Sequence, residues 1–206
     1  MMILNPEAVR AAGKAASACT RREGWLSGTA LAGRIGAVGL GAAGLLIAAA
    51  AQANPVGGQV VAGQADIVQT APDRLDITQS TQKAIINWGQ FSIGEGETTN
   101  FIQPGSNSIT LNRVTGGDPS QILGSLTANG NVILLNQNGI LFGPNSRIDV
   151  GGLIASTANI SNDHFMAGNY RFEGAPQGSW VVNQGRITVK EGGLAAWSRR
   201  GSRIRA

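Results

Sequence analysis

Short runs of alternating polar and apolar residues recur along the chain from about residue 54 onward. One run is Ser108–Asn112, and two others are Arg147–Val150 and Arg186–Lys190. Because successive side chains of a β-strand point to opposite faces, this period of two predicts strands with one aliphatic face. We expect Arg147, Asp149, Arg186 and Lys190 to point outward. The residues expected to point into one core are Ile109, Leu111, Ile148, Val150, Ile187 and Val189.

The run Val132–Leu135 departs from this alternation, because all four of its residues are apolar. A strand of this kind is expected where both of its faces are covered. The run therefore predicts a place where an extra hairpin or loop packs over the wall of the fold. The next residues, Asn136–Gly139, predict a tight turn in which Asn138 or Gly139 adopts a positive φ.

A longer repeat contains two of the alternating runs. Residues 147–155 (RIDVGGLIA) match residues 186–196 (RITVKEGGLAA), and the two leading arginines lie 39 positions apart. Repeats of a short strand and a glycine turn are typical of stacked coils, in which each coil buries the apolar face of its neighbour. A β-sandwich would give similar strands and turns, but the repeat favours a β-solenoid.

The first 53 residues have the pattern of an export signal. Residues 35–50 are apolar and uncharged, and they lead into Ala51-Gln52-Ala53, which predicts cleavage before Asn54. A retained membrane anchor is the alternative, although the segment is rich in Gly and Ala and therefore weakly hydrophobic. The predicted organisation is a signal peptide at 1–53, a β-rich body at 54–196 and a basic tail at 197–206.

The charge of the chain is divided unevenly. The formal net charge is +4, yet residues 54–196 hold seven basic and ten acidic residues. The body is therefore mildly acidic and has no material for a basic nucleic-acid groove. The single cysteine, Cys19, lies before the predicted cleavage site, so the mature protein is expected to have no disulfide.

Several phrases of a known family occur in order along the body. They are NRVTG at Asn112–Gly116, QILG at Gln121–Gly124, NQNG at Asn136–Gly139, ILFG at Ile140–Gly143 and DVGGLIAST at Asp149–Thr157. By these phrases the chain resembles, over residues 54–196, the filamentous-haemagglutinin N-terminal, or two-partner secretion, domain of TpsA-type exoproteins. One departure is Gln137, which stands where the family has a turn proline.

The resemblance implies an all-β fold, a right-handed parallel β-helix with an N-terminal cap and extra-helical hairpins, preceded by a helical signal peptide. It implies a secretion-targeting and folding-nucleating domain of a haemagglutinin-like adhesin. The implied partner is an outer-membrane TpsB-type transporter with periplasmic receptor domains, and host glycans or cell surfaces are further partners. The implied location is the cell surface or the medium, reached through the periplasm of a Gram-negative bacterium. No cofactor, metal, nucleic acid or lasting membrane anchor is expected.

The resemblance also suggests where the transporter binds. Strand addition to a partner needs unpaired backbone and low charge, and the segment Asn112–Phe142 is expected to offer both. The alternative is that the Asn-rich turn only forms ladders inside the solenoid. The residues assigned to the secretion motif are Asn112, Arg113, Asn136, Gln137, Asn138 and Gly139.

An enzyme is the competing class, namely a β-helix polysaccharide lyase or hydrolase. Such enzymes need clustered carboxylates and a basic residue across a groove. Glu95 and Glu97, two positions apart, are expected in an exposed turn or strand edge. The sole histidine, His164, is expected in a surface loop. The sequence therefore predicts a protein that is not an enzyme.

The last ten residues, WSRRGSRIRA, differ sharply from the body in composition. The family continues at this point in aliphatic residues and further coils, so we expect a disordered tail that was translated in a shifted frame. A genuine basic tail that binds an anionic surface is the alternative. The strand at Arg186–Lys190 is then expected to be an open edge of the solenoid.

Overall fold

Three β-sheets form the walls of a solenoid in residues 54–198, the part of the chain that the computed structural model describes. The predictions for the signal peptide and for residues 199–206 lie outside these residues. The elements are β1 (Gln59–Ala62), β2 (Ala65–Ala71), β3 (Arg74–Gln79), β4 (Lys83–Trp88), β5 (Thr98–Ile102), β6 (Ile109–Val114), β7 (Ser120–Ile122), β8 (Ser125–Ala128), β9 (Asn131–Leu135), β10 (Ile140–Phe142), β11 (Arg147–Val150), β12 (Gly152–Ser156), α1 (Asn162–Met166), β13 (Val181–Asn183), β14 (Arg186–Val189) and β15 (Ala195–Ser198).

From β5 onward, successive strands occupy the three sheets in turn. Sheet I has the order β1-β4-β6-β9-β12-β15, sheet II the order β14-β11-β8-β5-β3-β2, and sheet III the order β13-β10-β7. Thus β8, β9 and β10 form one coil, and β11, β12 and β13 stack on them in parallel. This arrangement confirms the predicted β-solenoid.

The stack ends in a cap at its N-terminal side. There β1 pairs with β4 and β2 pairs with β3, in both cases antiparallel, whereas the coils that follow stack in parallel. A hairpin at the end of the stack gives the first coil a partner without starting another turn of the solenoid.

The 39-residue repeat is one coil with an insertion. Arg147 pairs with Arg186 in the register that the repeat predicts. On its other side, however, Arg147 pairs with Ser125, which is only 22 positions earlier. The additional length comes from residues 157–180, which leave the wall after β12 and return at β13.

One face assignment from the sequence is wrong. Four of the residues expected in the core, in β11 and β14, do belong to it. Ile109 and Leu111, in contrast, pack in a second cluster on the outer side of sheet I. Thr110 and Asn112 take the inward positions and are fully buried. The alternation is present in β6, but both faces of this sheet are covered, so hydrophobicity alone does not identify the inner face.

The prediction for Val132–Leu135 is confirmed. Val132 and Leu134 pack in the main core, while Ile133 and Leu135 pack in the outer cluster. Residues 157–174, which we call the strap, cover this outer side. The strap side chains in the cluster are Ile160, Phe165, Tyr170 and Phe172.

Two loop predictions change in detail. Glu95 is exposed, but Glu97 is only 8% exposed, and its carboxylate accepts a hydrogen bond from the Gly94 amide at 2.8 Å. The carboxylate folds back over its own turn and bonds the backbone of that turn. His164 is exposed, as expected, but it lies in α1, which Ser161 caps at its N-terminus.

Strand β15 extends past the predicted boundary at residue 196. The strand β15 pairs in parallel with β12, and the register extends to Ser198 opposite Ser156. The predicted boundary at residue 196 therefore falls inside the last strand, and disorder of the tail stays a prediction. A parallel ladder is formed by backbone groups, so a change of side-chain composition did not end it. In residues 54–198, no helix has the length and apolar character needed to cross a membrane.

Candidate partner-binding site

Asn112 lies inside the solenoid, where it joins three coils. Its Oδ1 accepts a hydrogen bond from Trp88 Nε1 at 3.0 Å, and its Nδ2 donates to the carbonyl of Ile133 at 3.3 Å. These residues lie on β4, β6 and β9, which are neighbours in sheet I. A fully buried amide with internal partners stabilises the stack and is not accessible to a partner of the folded domain.

The next residue, Arg113, points to the outer side and holds the strap. Its guanidinium donates to Asn159 Oδ1 at 2.9 Å, to Asn162 Oδ1 at 2.9 Å and to the carbonyl of Ile160 at 2.6 Å. A longer bond of 3.3 Å reaches Asn87 Oδ1. Burial lowers the pKa of Arg113, but arginine titrates so far above neutral pH that the side chain stays charged. Arg113 therefore clamps the strap to sheet I through neutral oxygen acceptors.

The turn Asn136–Gly139 is built around another buried amide. Asn136 is 1% exposed, and its Nδ2 donates to the carbonyl of Asp118 at 3.0 Å and to Ser120 Oγ at 2.9 Å. Its Oδ1 accepts from the Asn138 amide at 2.9 Å, which closes an Asx turn. Gly139 has a φ of 123°, so the predicted positive φ is confirmed at this residue.

Trp180 lies against the turn. A Cβ atom at Gly139 would come within 2.7 Å of the Trp180 ring. The carbonyl of Trp180 also accepts a hydrogen bond from the Ile140 amide at 3.0 Å. Position 139 consequently requires glycine for two reasons, its backbone conformation and the close approach of the indole. These contacts fix the conformation of the turn without the family's proline.

The two exposed residues of the turn are Gln137 and Asn138. Gln137 Nε2 donates to the carbonyl of Gly174 at 3.3 Å, and Asn138 Nδ2 donates to the carbonyl of Gly116 at 2.9 Å. Both residues line a surface cavity of about 350 Å³, together with Arg113. The two predicted segments therefore meet at one place. The other residues of the cavity are Val114, Thr115, Gly116, Leu135, Ala158 and Asn159.

In the folded domain, the expectation of open backbone between Asn112 and Phe142 is wrong for every strand of this segment except β7. Strands β6, β8, β9 and β10 each have a paired strand on both sides. The reason is the stacking itself, because each coil supplies the hydrogen-bonding partners of the next. In residues 54–198 the sheet edges fall at the ends of the stack, on β1 and β2 and on β13, β14 and β15, and also on β7.

Of the three residues predicted at the cleavage site, Ala51 and Ala53 lie outside the described residues. Asn54 is only 5% exposed, and its Oδ1 accepts a hydrogen bond from Thr99 Oγ1 at 3.4 Å. The residue expected to begin the mature chain is thus held in the body of the domain.

A second clamp on the strap, Lys83, was not predicted. Its ammonium group donates to the carbonyls of Met166 at 2.8 Å and Phe165 at 3.4 Å, and it lies 5.9 Å from the centre of the Tyr170 ring. A cation at the last carbonyls of a helix is stabilising. No local pattern reveals this contact, because the paired residues are more than 80 positions apart in the chain.

Comparison with known proteins identifies the class of protein. The family model of the TPS secretion domain matches residues 51–204, so the chain belongs to this family. Its fold is similar to the crystal structure of the HMW1 secretion domain from Haemophilus influenzae, with a TM-score of 0.62 and 40% identity over 66% of this chain and 37% of that one. The chain therefore carries a secretion-targeting domain for two-partner secretion.

Two curated relatives are heme/hemopexin-binding proteins. One, from Haemophilus influenzae (strain ATCC 51907 / DSM 11121 / KW20 / Rd), is 38% identical over 141 residues, which are 68% of this chain and 16% of the relative. The other, from Haemophilus influenzae, is 36% identical over 127 residues, which are 62% of this chain and 14% of the relative.

Like other domains of its family, this domain works with an outer-membrane transporter and reaches the exterior of a Gram-negative cell through the periplasm.

Proposed function

We propose that the cavity beside the Asn136–Gly139 turn is the surface through which the folded domain contacts its transporter. The observation that carries the proposal is the exposure of Gln137 and Asn138 at a cavity that also includes Arg113. The six motif residues then have two roles. Gln137 and Asn138 make contact, whereas Asn112, Arg113, Asn136 and Gly139 hold the surface in shape.

The chemistry of this surface suggests how the partner is recognised. Amide side chains donate and accept hydrogen bonds without carrying charge. The one cation of the cavity, Arg113, already donates to the strap and to Asn87. Recognition should therefore depend on hydrogen bonds between neutral groups, and salt should weaken it little.

A paired secretion assay tests the proposal. The full chain is expressed with its transporter as wild type, as the double variant Gln137→Ala/Asn138→Ala, and as the control Gln184→Ala, which removes another exposed amide. We expect the double variant to lower transporter binding and secretion about tenfold, equivalent to about 1.4 kcal/mol. Its unfolding free energy should change by no more than about 1 kcal/mol, as expected for surface positions. Normal secretion of the double variant, or an equal loss in the control, would exclude this surface.

We also propose that the exported form begins at Asn54. The support is the Ala51-Gln52-Ala53 sequence and the burial of Asn54 in the folded body. Mass spectrometry of the secreted protein should find Asn54 at the N-terminus. An N-terminus at Met1 in the membrane fraction would instead show a retained anchor.

For the exported protein as a whole, we propose a role as a surface adhesin or binding protein. The names of its curated relatives make heme and hemopexin the first ligands to test, alongside host glycans. Binding of hemopexin to cells that display the exoprotein, and its loss when the gene is deleted, would support this role. Turnover of pectin or glycosaminoglycan by the exported protein, with or without Ca²⁺, would instead support the polysaccharide lyase or hydrolase alternative.

A further inference from the structure

The outer face of sheet II carries two columns of polar side chains in register. Neighbouring strands of a sheet lie roughly 4.8 Å apart, so each column is a regular ladder. One column consists of Arg74, Thr98, Ser125, Arg147 and Arg186. The other consists of Asp76, Asn100, Thr127, Asp149 and Thr188.

The N-terminal half of this face is satisfied internally. Arg74 forms an ion pair with Asp76 at 3.0 Å. Asp76 also accepts hydrogen bonds from Thr70 and Asn100, and Thr127 donates to Asn100. These groups already have partners and offer little to a ligand.

The C-terminal half of the face differs. Arg147 and Arg186 lie directly opposite each other on β11 and β14, and both are exposed. Among the residues that the structure describes, neither guanidinium forms an ion pair or a side-chain hydrogen bond. Like charges at directly opposed positions of a sheet are destabilising. The pair therefore presents two exposed cations, each with five N–H donors, on the outer face of sheet II.

The neighbouring side chains suggest the class of ligand. Ser125 continues the first column next to Arg147, and Thr188 lies beside Arg186 in the second. Guanidinium groups bind planar or tetrahedral anions with two hydrogen bonds at once, and hydroxyls can bond the hydroxyls of a sugar. Nucleic acid fits less well, because it needs many more phosphate contacts than the two arginines provide.

We propose that Arg147, Arg186, Ser125 and Thr188 form a binding surface for a sulfated polysaccharide. One sulfate group bridges the two guanidinium groups, and the hydroxyls bond the adjacent sugar. This surface is on sheet II and is separate from the cavity on sheet I that we assign to the transporter, so the two proposals can fail independently.

The test is retention of the full secreted chain on immobilised heparin, with neutral dextran as the reference matrix. Arg147→Gln and Arg186→Gln should each weaken heparin binding about tenfold, as expected when a charge-assisted hydrogen bond is lost. The matched control is Arg74→Gln, which makes the same charge change in the same column but affects a guanidinium that is already paired with Asp76. It should change binding less than twofold, within the range of an exposed ion pair.

Two further comparisons distinguish binding at this surface from non-specific attraction by the positive charge of the chain. The four arginines of residues 197–206 are present in every variant, so they cannot cause a difference among them. Asp149→Asn removes the acidic neighbour of the pair and should strengthen binding. Equal losses in Arg74→Gln and Arg147→Gln would overturn the proposal, as would binding to lipopolysaccharide vesicles without binding to heparin. Every variant should remain folded under the assay conditions, because every substituted side chain is on the outer face. Arg74→Gln alone should lower the unfolding midpoint, because it loses the ion pair with Asp76.

Discussion

At the scale of single residues, similar side chains have opposite roles that the sequence does not reveal. Asn112 and Asn136 are buried and hydrogen-bonded inside the fold, whereas Asn138 is exposed at the cavity. The secretion motif predicted that these asparagines lie in a strand at 112–113 and in a turn at 136–139. It did not predict which of them faces inward, because that depends on acceptors such as the Ile133 and Asp118 carbonyls, supplied by other strands and loops.

The inward position of Ile148 gives the first prediction. Ile148 is 1% exposed, so Ile148→Asp buries a charge without a partner and should unfold the domain, at a cost of several kcal/mol. Its neighbour Arg147 is exposed, and Arg147→Ala should cost about 0.5 kcal/mol or less. Urea unfolding measures both. Comparable losses would contradict the assignment of faces in β11.

Asp76 gives a prediction of pH dependence. Hydrogen bonds from Arg74, and further ones from Thr70 and Asn100, lower its pKa from 3.8 to about 2. A carboxylate whose pKa is lowered by folding stabilises the protein above its unfolded pKa. That contribution is lost as the pH falls from about 4 toward 2. Asp76→Asn should therefore flatten the fall of stability in this window, as followed by thermal unfolding. The control is Asp66→Asn, at an exposed position of β2; an equal flattening there would argue against the role of the Arg74 contact.

At the scale of elements, the strap completes the outer side of sheet I. Its helix inserts Phe165, which is fully buried, into the outer cluster. Arg113 and Lys83 hold the strap near its beginning and at its helix. The apolar run Val132–Leu135 showed that some segment must cover this sheet. The sequence did not show which one, because the segment is inserted between two coils of a repeat and its partners lie far away in the chain.

The strap leads to the third prediction. Phe165→Ala should cost about 3–5 kcal/mol and should increase cleavage by protease within residues 157–174 before the solenoid unfolds. Phe172→Ala, at a partly buried position of the same strap, is the graded control and should have a smaller effect. If cleavage began in the solenoid wall rather than in the strap, the strap would not be a separately docked element.

At the scale of the whole molecule, the sequence predicted the class of fold better than the length of each coil and the end of the last strand. The repeat at Arg147 and Arg186 identified stacked coils in the correct register. It overestimated the coil length, because the interval includes residues 157–180, which do not belong to the wall. Strand β15 extends two residues past the predicted boundary at residue 196, because its ladder with β12 depends on backbone groups and not on side-chain composition.

The last prediction concerns the C-terminal edge of the stack. Within the described residues, β14 and β15 each pair with a strand on one side only. Backbone groups on such an edge exchange with solvent more readily and can pair with another chain. Amides of Ile187–Val189 should therefore exchange faster than those of Ile148–Val150, which lie in the interior strand β11, and the difference should shrink as protein concentration rises. Hydrogen exchange at two concentrations measures this. Strong protection of Ile187–Val189 in a strictly monomeric sample would show that the edge is covered within the chain itself.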